Sequence, residues 1–275
     1  MSASLSVSVV TYDPDLLVLA ETLGTLAASL GHARQAGSLD QAEVTVVDNG
    51  PGDRMAAVLA EMLRHDFEPP LGARLRTGHG NIGYGRGNNL ALLASGADFH
   101  LVLNPDVALA ADAIHEALRY MAAHPGTAIL APEARDAQGR PLFLCKRYPS
   151  VLDLLLRGFV PAALRGWFRA RLDRYEMRDL PRTAAASGVP LLSGSFMFCR
   201  RAPVAALGGF AQAFFLYFED FDLSLRAAER GTLAFVPAVR IVHRGGHTAR
   251  KGPRHVLRFA RSAVTFFNRH GWRWL

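Results

Sequence analysis

The sequence predicts an α/β protein built on one mostly parallel β-sheet flanked by helices. Short β-branched segments alternate with longer segments of helical periodicity between about residues 5 and 131. Polar residues follow directly where several apolar segments end, and no repeat, linker or low-complexity tract divides the 275 residues. Such alternation places parallel strands side by side and covers both faces of the sheet with helices. A chain of this length with 50% hydrophobic residues can bury a large core.

The amino-terminal half contains the regular part of this pattern. Its β-branched, alternating segments predict strands at 5–11, 43–47, 73–77, 99–103 and 128–131. Helical periodicity and capping residues predict helices at 16–30, 55–65 and 110–123, with a further helix that ends near residue 95. The turn residues Asp13-Pro14-Asp15 separate the first strand from the first helix.

The carboxy-terminal half is less regular. Residues 132–143 predict a hairpin around Gln138-Gly139, and residues 150–175 predict one or two basic amphipathic helices. The apolar segment 191–200 predicts a strand that Gly194-Ser195 interrupts, either as a bulge or where the backbone approaches a ligand. A last strand is predicted at 233–243, ending on His243.

Three acidic residues, Asp13, Asp48 and Asp106, each follow a predicted strand. Aspartate is a common turn residue, which explains any one of them taken alone. Ligands of open α/β sheets bind beyond the carboxyl ends of the strands. The recurrence therefore predicts a single crevice lined by all three.

Residues 78–89 form a glycine-rich loop, GHGNIGYGRGNN, that contains G-x-G-x-x-G between a strand and a helix. This pattern leaves a dinucleotide-binding unit open as an alternative. Two features count against a dinucleotide-binding unit. The motif follows the third strand and not the first. In addition, Asp98 precedes its strand, whereas the ribose-binding acid of such a unit stands at the end of a strand. The glycines still allow close approach to a phosphate or ribose, and Arg86 supplies positive charge.

The segment 214–230, FFLYFEDFDLSLRAAER, places three carboxylates at the start of a helix. Such acids complement the helix dipole, which is the structural interpretation of the group. Asp222 and Arg226 are four residues apart and can pair on the helix surface. Glu219 and Asp220 are neighbours that point in different directions, so only one of them can face a substrate.

The net charge of +7 fits three kinds of partner: nucleic acid, an anionic membrane face or a phosphate-bearing substrate. Residues 145–175 hold seven Lys and Arg against two Asp, and residues 251–275 hold six against none. Their arginines interleave with apolar residues at helical spacing, which favours an interfacial helix and argues against nucleic acid.

The remaining composition predicts a cytoplasmic protein. No apolar run reaches the roughly 18 residues that span a bilayer, and the first residues have neither a basic region nor a cleavage signal. Cys145 and Cys199 match no metal spacing and are too few for a disulfide framework.

Seven motifs occur in a characteristic order: VVTYDPD, VVDNG, GNIGYGRGNN, LNPD, GSFMF, YFEDFDLSLR and VHRGGH. Over about residues 5–250 the chain resembles the family 2 glycosyltransferases of the GT-A fold, and within them the rhamnosyltransferase branch. The resemblance implies a single Rossmann-like sheet in a domain of residues 1–250. Its nucleotide-binding part covers about 1–107 and its acceptor and catalytic part about 108–250, followed by a basic amphipathic helix at 251–275.

The resemblance also implies the roles of individual residues. The substrate-binding residues are Thr11, Tyr12, Asp13, Asp48, Asn81, Gly83, Arg86, Asn89, Asn104, Gly194 and Ser195. Asp48 contacts the base, and the loop from Asn81 to Asn89 handles the ribose and diphosphate. Asn104-Pro105-Asp106 occupies the place of the family's metal-binding D-x-D, with Asn in the first acidic position.

Asp106 is consequently the one sure carboxylate for Mg²⁺ or Mn²⁺, a number that magnesium accepts when phosphates and water complete its shell. His243 matches a histidine that can supply a further metal ligand. By resemblance Asp220 is the general base, and Glu219 is the alternative base.

The implied activity is inverting transfer of a sugar from a nucleotide, with dTDP-L-rhamnose as the expected donor. The expected acceptor is a hydroxyl of a bacterial surface glycan such as O-antigen on a lipid carrier, and the basic segments are expected to rest on the anionic cytoplasmic leaflet. The alternatives are a nucleotidyltransferase, a dinucleotide-dependent oxidoreductase and an inactive GT-A binding module.

Overall fold

The computed structural model of the chain describes residues 2–67, 69, 71–160, 166–245 and 253–275. The strands are β1 (Ala3–Thr11), β2 (Leu39–Asp48), β3 (Leu71–Arg76), β4 (Phe99–Leu103), β5 (Val107–Leu109), β6 (Thr127–Arg135), β7 (Pro141–Leu142), β8 (Cys145–Lys146), β9 (Ala186–Ser187), β10 (Leu191–Leu192), β11 (Phe196–Arg200) and β12 (Thr232–His243). The helices are α1 (Leu16–Gln35), α2 (Ala56–Asp66), α3 (Tyr84–Leu92), α4 (Ala113–Ala123), α5 (Val151–Phe159), α6 (Arg169–Tyr175), α7 (Arg201–Ala206), α8 (Glu219–Ala228) and α9 (Pro253–His270).

The main sheet has the strand order β3-β2-β1-β4-β11-β6-β12-β5, with β7 and β9 added on β6 and β12. β1 pairs in parallel with β2 and β4, β2 with β3, and β6 with β12. β11 is antiparallel to both β4 and β6, and β5 is antiparallel to β12. Six strands of this path therefore run the same way, which confirms the predicted mostly parallel α/β sheet.

The core follows the two periodicities of the sequence. The inner strands are buried on both faces, as the adjacent residues Val9 and Val10 of β1 show. α1 turns Leu19, Leu23 and Leu26 toward the sheet at helical spacing, and all three are fully buried. Among the described residues α1 alone is long and apolar enough to cross a membrane, with a mean hydropathy of 1.4. The buried leucines identify α1 as a core helix. No uninterrupted apolar run of that length was predicted from the sequence.

The structure differs from the prediction at three places, one of which is the unpredicted two-residue strand β9 on β12. Residues 107–109 form the short strand β5, which the sequence did not predict because three residues are too few for a period. The predicted strand at 191–200 is two strands: β10 pairs with β8 in a separate two-stranded sheet, and β11 lies in the main sheet. Gly194-Ser195 lies where the chain passes from one sheet to the other.

The predicted hairpin at 132–143 is confirmed: β6 and β7 pair antiparallel, and Gly139 lies in the turn at φ 75°. The predicted carboxy-terminal helix is α9, which packs onto α8. Phe266 and Phe267 of α9 are buried in a cluster with Phe214, Phe218 and Phe221. The predicted boundary at residue 250 falls within 246–252, outside the described residues.

Candidate active site

The first part of the site lies at the carboxyl ends of β1 and β2. Thr11 is the register partner of Asp48, and its hydroxyl lies 3.4 Å from Asp48 Oδ1. The Gly50 amide donates to the same oxygen over 2.9 Å. Asp48 Oδ2 and the neighbouring Asn49 Oδ1 are buried without a hydrogen-bond partner. Because buried polar atoms are normally paired, these two oxygens mark a place where a ligand can bind.

Tyr12 and Asp13 form the open rim of this part. Tyr12 is 60% exposed, and Asp13, in a left-handed conformation at φ 48°, pairs with Arg54 over 3.1 Å. Both lie beside the buried Thr11 and Asp48, which is where the sequence predicts the nucleotide pocket.

Packing accounts for three of the five glycines in the loop at 78–89. A Cβ atom on Gly83 would lie 2.4 Å from the Phe215 carbonyl, and one on Gly85 would lie 2.8 Å from Phe210 Cβ. A Cβ atom on Gly87 would meet Val10 at 3.0 Å. These glycines allow α3 to pack closely against the rest of the protein.

The polar residues of this loop contact the protein backbone. Asn81 Oδ1 accepts from the Gly83 amide, and Arg86 donates to the Gln212 carbonyl over 2.7 Å. The Asn89 amide both donates to and accepts from the Phe210 backbone. Arg86 and Asn89 therefore hold the segment before α8 in this structure, and their contact with substrate stays a prediction.

Asp106 and His243 meet because β5, which follows Asp106, pairs with the end of β12, where His243 lies opposite Val107. Asp106 Oδ1 is 3.2 Å from His243 Nε2, within ion-pair distance, yet it has no hydrogen-bond partner. The Arg244 amide fixes the loop by donating to the Asp106 carbonyl. A Cβ atom on Gly245 would lie 1.7 Å from Asp106 Oδ2, so only glycine leaves room for the carboxylate.

This pair fits a divalent cation. Adjacent ligands on an octahedral ion with bonds of about 2.1 Å lie about 3 Å apart, close to the observed separation. The Asn104 side chain is engaged by the Tyr84 hydroxyl, which lies 2.7 Å from its Oδ1. No group of three or more His, Cys, Asp or Glu side chains able to hold a metal occurs in the described part of the chain. A cation held by this pair would therefore take its other ligands from substrate phosphates and water.

The start of α8 carries the catalytic candidates. Tyr217 and Phe218 precede it with φ of 71° and 64°, a left-handed conformation that is rare for aromatic residues. Glu219 is buried, and its Oε2 has no partner. Asp220 stays partly exposed and turns the other way, where its Oδ2 accepts from the Gly194 amide over 2.8 Å.

Burial raises the pKa of Glu219, and the charge of Asp220 raises it further. Burial also raises the pKa of Asp220, but the amides of Gly194 and Phe221 oppose that effect. Two adjacent buried carboxyl groups cannot both ionise readily, so the pair retains a proton. The amide bonds favour Glu219 as the protonated member and Asp220 as the ionised one, which supports Asp220 as the base.

Asp222 has the structural role expected from its spacing. It is fully buried and accepts from Arg226 over 2.8 Å, as the four-residue spacing predicts. His270 and Arg269 of α9 reach its other oxygen at 2.9 and 3.2 Å. Asp222 therefore joins α8 to α9.

Tyr84, which the sequence did not single out, connects the two halves of the site. Its hydroxyl oxygen is 2.7 Å from both Asn104 Oδ1 and the Gly194 carbonyl. A hydroxyl has one proton to donate, so an Asn104 amide turned to present its nitrogen satisfies both contacts. Burial raises the pKa of Tyr84, and Glu219, Asp220 and Asp106 raise it further. The sequence feature that could have identified Tyr84 is its position as the first residue of the helix α3.

Unpartnered buried atoms are concentrated in this crevice. Eight such side-chain atoms occur among the described residues. Six of them belong to residues of the strand ends, the glycine-rich loop, the β10–β11 junction and the start of α8: Asp48, Asn49, His79, Asp106, Ser195 and Glu219. These residues therefore extend from the ends of β1 and β2 to the start of α8.

Solved structures with this fold are glycosyltransferases of the GT-A class. A mannosyltransferase of Pyrobaculum calidifontis solved with GDP-Man and Mn²⁺ superposes with a TM-score of 0.64 at 18% identity, over 98% of this chain and 64% of that one. TarS 1–349 of S. aureus gives 0.56 at 17% identity, over 88% and 60%. At these identities the likeness shows the fold, and this chain spans less than two thirds of either structure's chain.

Within that class the chain belongs to glycosyl transferase family 2, whose model matches residues 6–205. It is 29% identical over 251 residues to an N-acetylglucosaminyl-diphospho-decaprenol L-rhamnosyltransferase of Mycobacterium tuberculosis, covering 83% of this chain and 76% of that protein. It is 25% identical over 183 residues to the rhamnosyltransferase WbbL of Escherichia coli, covering 62% and 64%. The predicted likeness to rhamnosyltransferases is confirmed, and the oxidoreductase and nucleotidyltransferase alternatives lose their support.

Proposed function

We propose that this protein transfers L-rhamnose from dTDP-L-rhamnose to a hydroxyl of a lipid-linked bacterial surface glycan, with inversion at the anomeric carbon. The observation that carries this proposal is the contact of Tyr84 with both sides of the crevice. This contact joins the segments that carry Asp106 and Asp220, and the charges of both carboxylates act on the Tyr84 hydroxyl. The two rhamnosyltransferase relatives support the sugar, and the acceptor named for the mycobacterial relative supports a lipid-linked diphosphate acceptor.

Each part of the crevice has one task in this reaction. Thr11 and Asp48 bind the nucleotide base, using the unpartnered Asp48 Oδ2. Asp106 and His243 hold a divalent cation, Mg²⁺ or Mn²⁺, which when bound neutralises charge on the diphosphate. Glu219 stays protonated and limits the negative charge beside the base.

Asp220 acts on the acceptor. Its carboxylate takes the proton of the acceptor hydroxyl as the oxygen bonds to the anomeric carbon and the bond from that carbon to the diphosphate breaks. The displaced nucleoside diphosphate leaves on the opposite face, so the configuration inverts. General-base catalysis of this kind contributes about 10² to 10⁴ in rate.

Asp220→Asn tests the function. The variant keeps the shape of the side chain and its contact with Gly194 but cannot take up the proton. We expect donor affinity, measured by calorimetry, to match the wild type and rhamnose transfer to fall by about 10² to 10⁴. Asp40→Asn, at an exposed position on β2, is the control. Full activity of Asp220→Asn contradicts this mechanism. If the wild type binds the donor but transfers no sugar, the protein is instead the inactive GT-A binding module.

The donor requires its own experiment. A screen of dTDP-L-rhamnose against UDP- and GDP-sugars, with and without a divalent cation, measures product by mass. We expect transfer from dTDP-L-rhamnose, and only when the cation is present. If the protein transfers sugar only from another sugar nucleotide, the proposed donor is wrong but the protein is still a glycosyltransferase.

The protein is further proposed to work at the cytoplasmic face of the membrane, held there by its basic segments. Trp167, Trp274 and Leu275 are 85%, 65% and 86% exposed. The amino end of α5 brings their segments together, because Val151 donates to the Arg273 carbonyl and Arg171 contacts Ser150. Exposed aromatic residues beside arginines suit the headgroup layer of an anionic leaflet.

Vesicle flotation tests the membrane proposal. Deleting residues 251–275 is unsuitable, because it would uncover the cluster around Phe266 and Phe267. Trp167→Ser with Trp274→Ser changes exposed side chains only and is expected to release the protein from anionic vesicles. Leu93→Ser, at an exposed residue after α3, is the control. Equal flotation of all three proteins, or binding to zwitterionic vesicles alone, contradicts the proposal.

A further inference from the structure

Tyr175, the last residue of α6, has a buried hydroxyl that no part of the proposed reaction uses. Its side chain is 3% exposed, and its hydroxyl has no hydrogen-bond partner. Of the eight unpartnered buried atoms in the described residues, only those of Tyr175 and Asp112 lie outside the crevice assigned above. The other Asp112 oxygen pairs with Arg240 over 2.7 Å. Tyr175 has no comparable contact at its polar end, which points to a ligand.

Backbone contacts link the segment of Tyr175 to the residues that hold Asp220. The Arg147 amide donates to the Tyr175 carbonyl over 2.9 Å, and Lys146 Nζ is 5.8 Å from the centre of the tyrosine ring. Lys146 is the register partner of Leu191 in the small β8–β10 sheet. β10 leads directly to Gly194, whose amide binds Asp220. The small sheet thus joins the ring of Tyr175 to the base.

The charges around the hydroxyl agree with this position. Burial raises the pKa of Tyr175 to about 12, while Arg157 lowers it and Asp220 raises it. The phenol therefore stays protonated at neutral pH and lies within the field of the base. Arg157 Nε is 3.8 Å from Oε1 of Glu176, the residue that follows Tyr175.

We infer that the Tyr175 hydroxyl binds the acceptor sugar and holds it against Asp220, an inference that rests on the proposed transferase function. A neutral phenol donates one hydrogen bond and accepts others, which matches a sugar hydroxyl. The residues assigned to the nucleotide and the cation lie at the ends of β1 and β2 and beside β5, whereas Tyr175 is linked through β8 and β10 to Gly194 and Asp220. Tyr175 is therefore a binding residue for the acceptor and has no part in donor binding.

Tyr175→Phe tests this inference, because it removes one oxygen and leaves the buried ring in place. The assay uses dTDP-L-rhamnose and, as acceptor probe, N-acetylglucosaminyl diphosphate on a short polyprenyl chain. The acceptor KM is expected to rise about tenfold, the effect of one lost hydrogen bond of ordinary strength. The donor KM, kcat and thermal unfolding midpoint are expected to match the wild type. Tyr120→Phe, the same change on α4, is the control and should leave the acceptor KM unchanged.

The outcomes separate this inference from the function on which it rests. An unchanged acceptor KM in Tyr175→Phe overturns the inference while transfer by the wild type stands. An equal rise in donor KM also overturns it, because the hydroxyl would then belong to the donor side. Failure of the wild type to transfer rhamnose to the probe overturns the proposed function, and it is seen before any variant is compared.

Discussion

The backbone amide of Gly194 donates a hydrogen bond of 2.8 Å to Oδ2 of Asp220. This contact joins the passage between the two sheets to the first turn of α8. It orients one oxygen of the base and leaves the carboxylate partly exposed to the crevice. It also stabilises the ionised form of Asp220 against burial, which raises its pKa. A glycine far from Asp220 in sequence thus orients this carboxylate, the proposed base, and favours its charged form.

Gly194→Ala is expected to lower kcat by about tenfold or more while the protein stays folded. A Cβ atom at this position would lie 3.1 Å from Asp220 Cβ and 3.5 Å from Tyr84 Cε1. Small displacements of a reacting group cost up to about 10² in rate. Steady-state kinetics with unfolding curves measure both effects. Gly24→Ala has open space around the new methyl group and serves as control; equal kcat values for the two variants contradict the expectation.

Asp222→Ala is expected to reduce the free energy of unfolding by about 3–5 kcal/mol, because it removes a buried carboxylate from Arg226 and His270. Denaturant unfolding measures this loss. Asp13→Asn removes the charge from an exposed pair with Arg54, at a left-handed position that asparagine tolerates, and should change stability by less than about 1 kcal/mol. Similar losses in the two variants contradict the role of Asp222 as the link between α8 and α9.

His243→Ala and Asp106→Asn are each expected to raise the cation concentration needed for half-maximal activity, by about tenfold or more. His243→Ala removes a nitrogen that lies 3.2 Å from Asp106 Oδ1, and Asp106→Asn keeps an oxygen there but removes the negative charge that would attract the cation. Titration of activity with Mg²⁺ and with Mn²⁺ measures the shift. His124→Ala, at an exposed position after α4, provides the comparison. Unchanged half-maximal concentrations in both variants exclude these residues as ligands.

Glu219→Gln is expected to make stability less dependent on pH. The pKa of Glu219 is raised in the folded protein above its ordinary value of 4.5 by burial and by Asp220. Above that value the unfolded chain loses a proton that the folded protein keeps, so the free energy of unfolding falls as pH rises. Glutamine carries no proton equilibrium and removes this fall. Unfolding midpoints at about pH 5 and about pH 8 measure this loss of stability in the wild type and in the variant. Equal changes of the midpoint in the two proteins contradict the expectation.

The sequence predicted the fold well where a long apolar period exists. β4 was predicted with its observed bounds, and β1, β2, α2 and β12 within a few residues. The errors occur where tertiary contacts decide the structure. β5 is too short to show a period, and the change of sheets at Gly194-Ser195 depends on the pairing of β10 with β8.

The site was predictable in its residues and less so in their tasks. The strand-end rule singled out Asp48 and Asp106, whose side chains have unpartnered buried oxygens, and the acidic start of α8 singled out Asp220. The functional roles of these residues stay predictions. Close packing against Phe210 and Phe215, which no local pattern reveals, explains glycines that suggested phosphate contact. Tyr84 and Tyr175 were missed because a buried aromatic residue resembles any core residue until its hydroxyl is placed.

The left-handed pair Tyr217 and Phe218 has a consequence for heat inactivation. Each aromatic residue in this conformation costs about 1–3 kcal/mol, which the surrounding contacts must offset. Those contacts come largely from α9, through Phe259 and Phe266. On warming, this corner should relax before the parallel sheet melts, so catalytic activity should disappear at a lower temperature than the circular dichroism of the strands and helices.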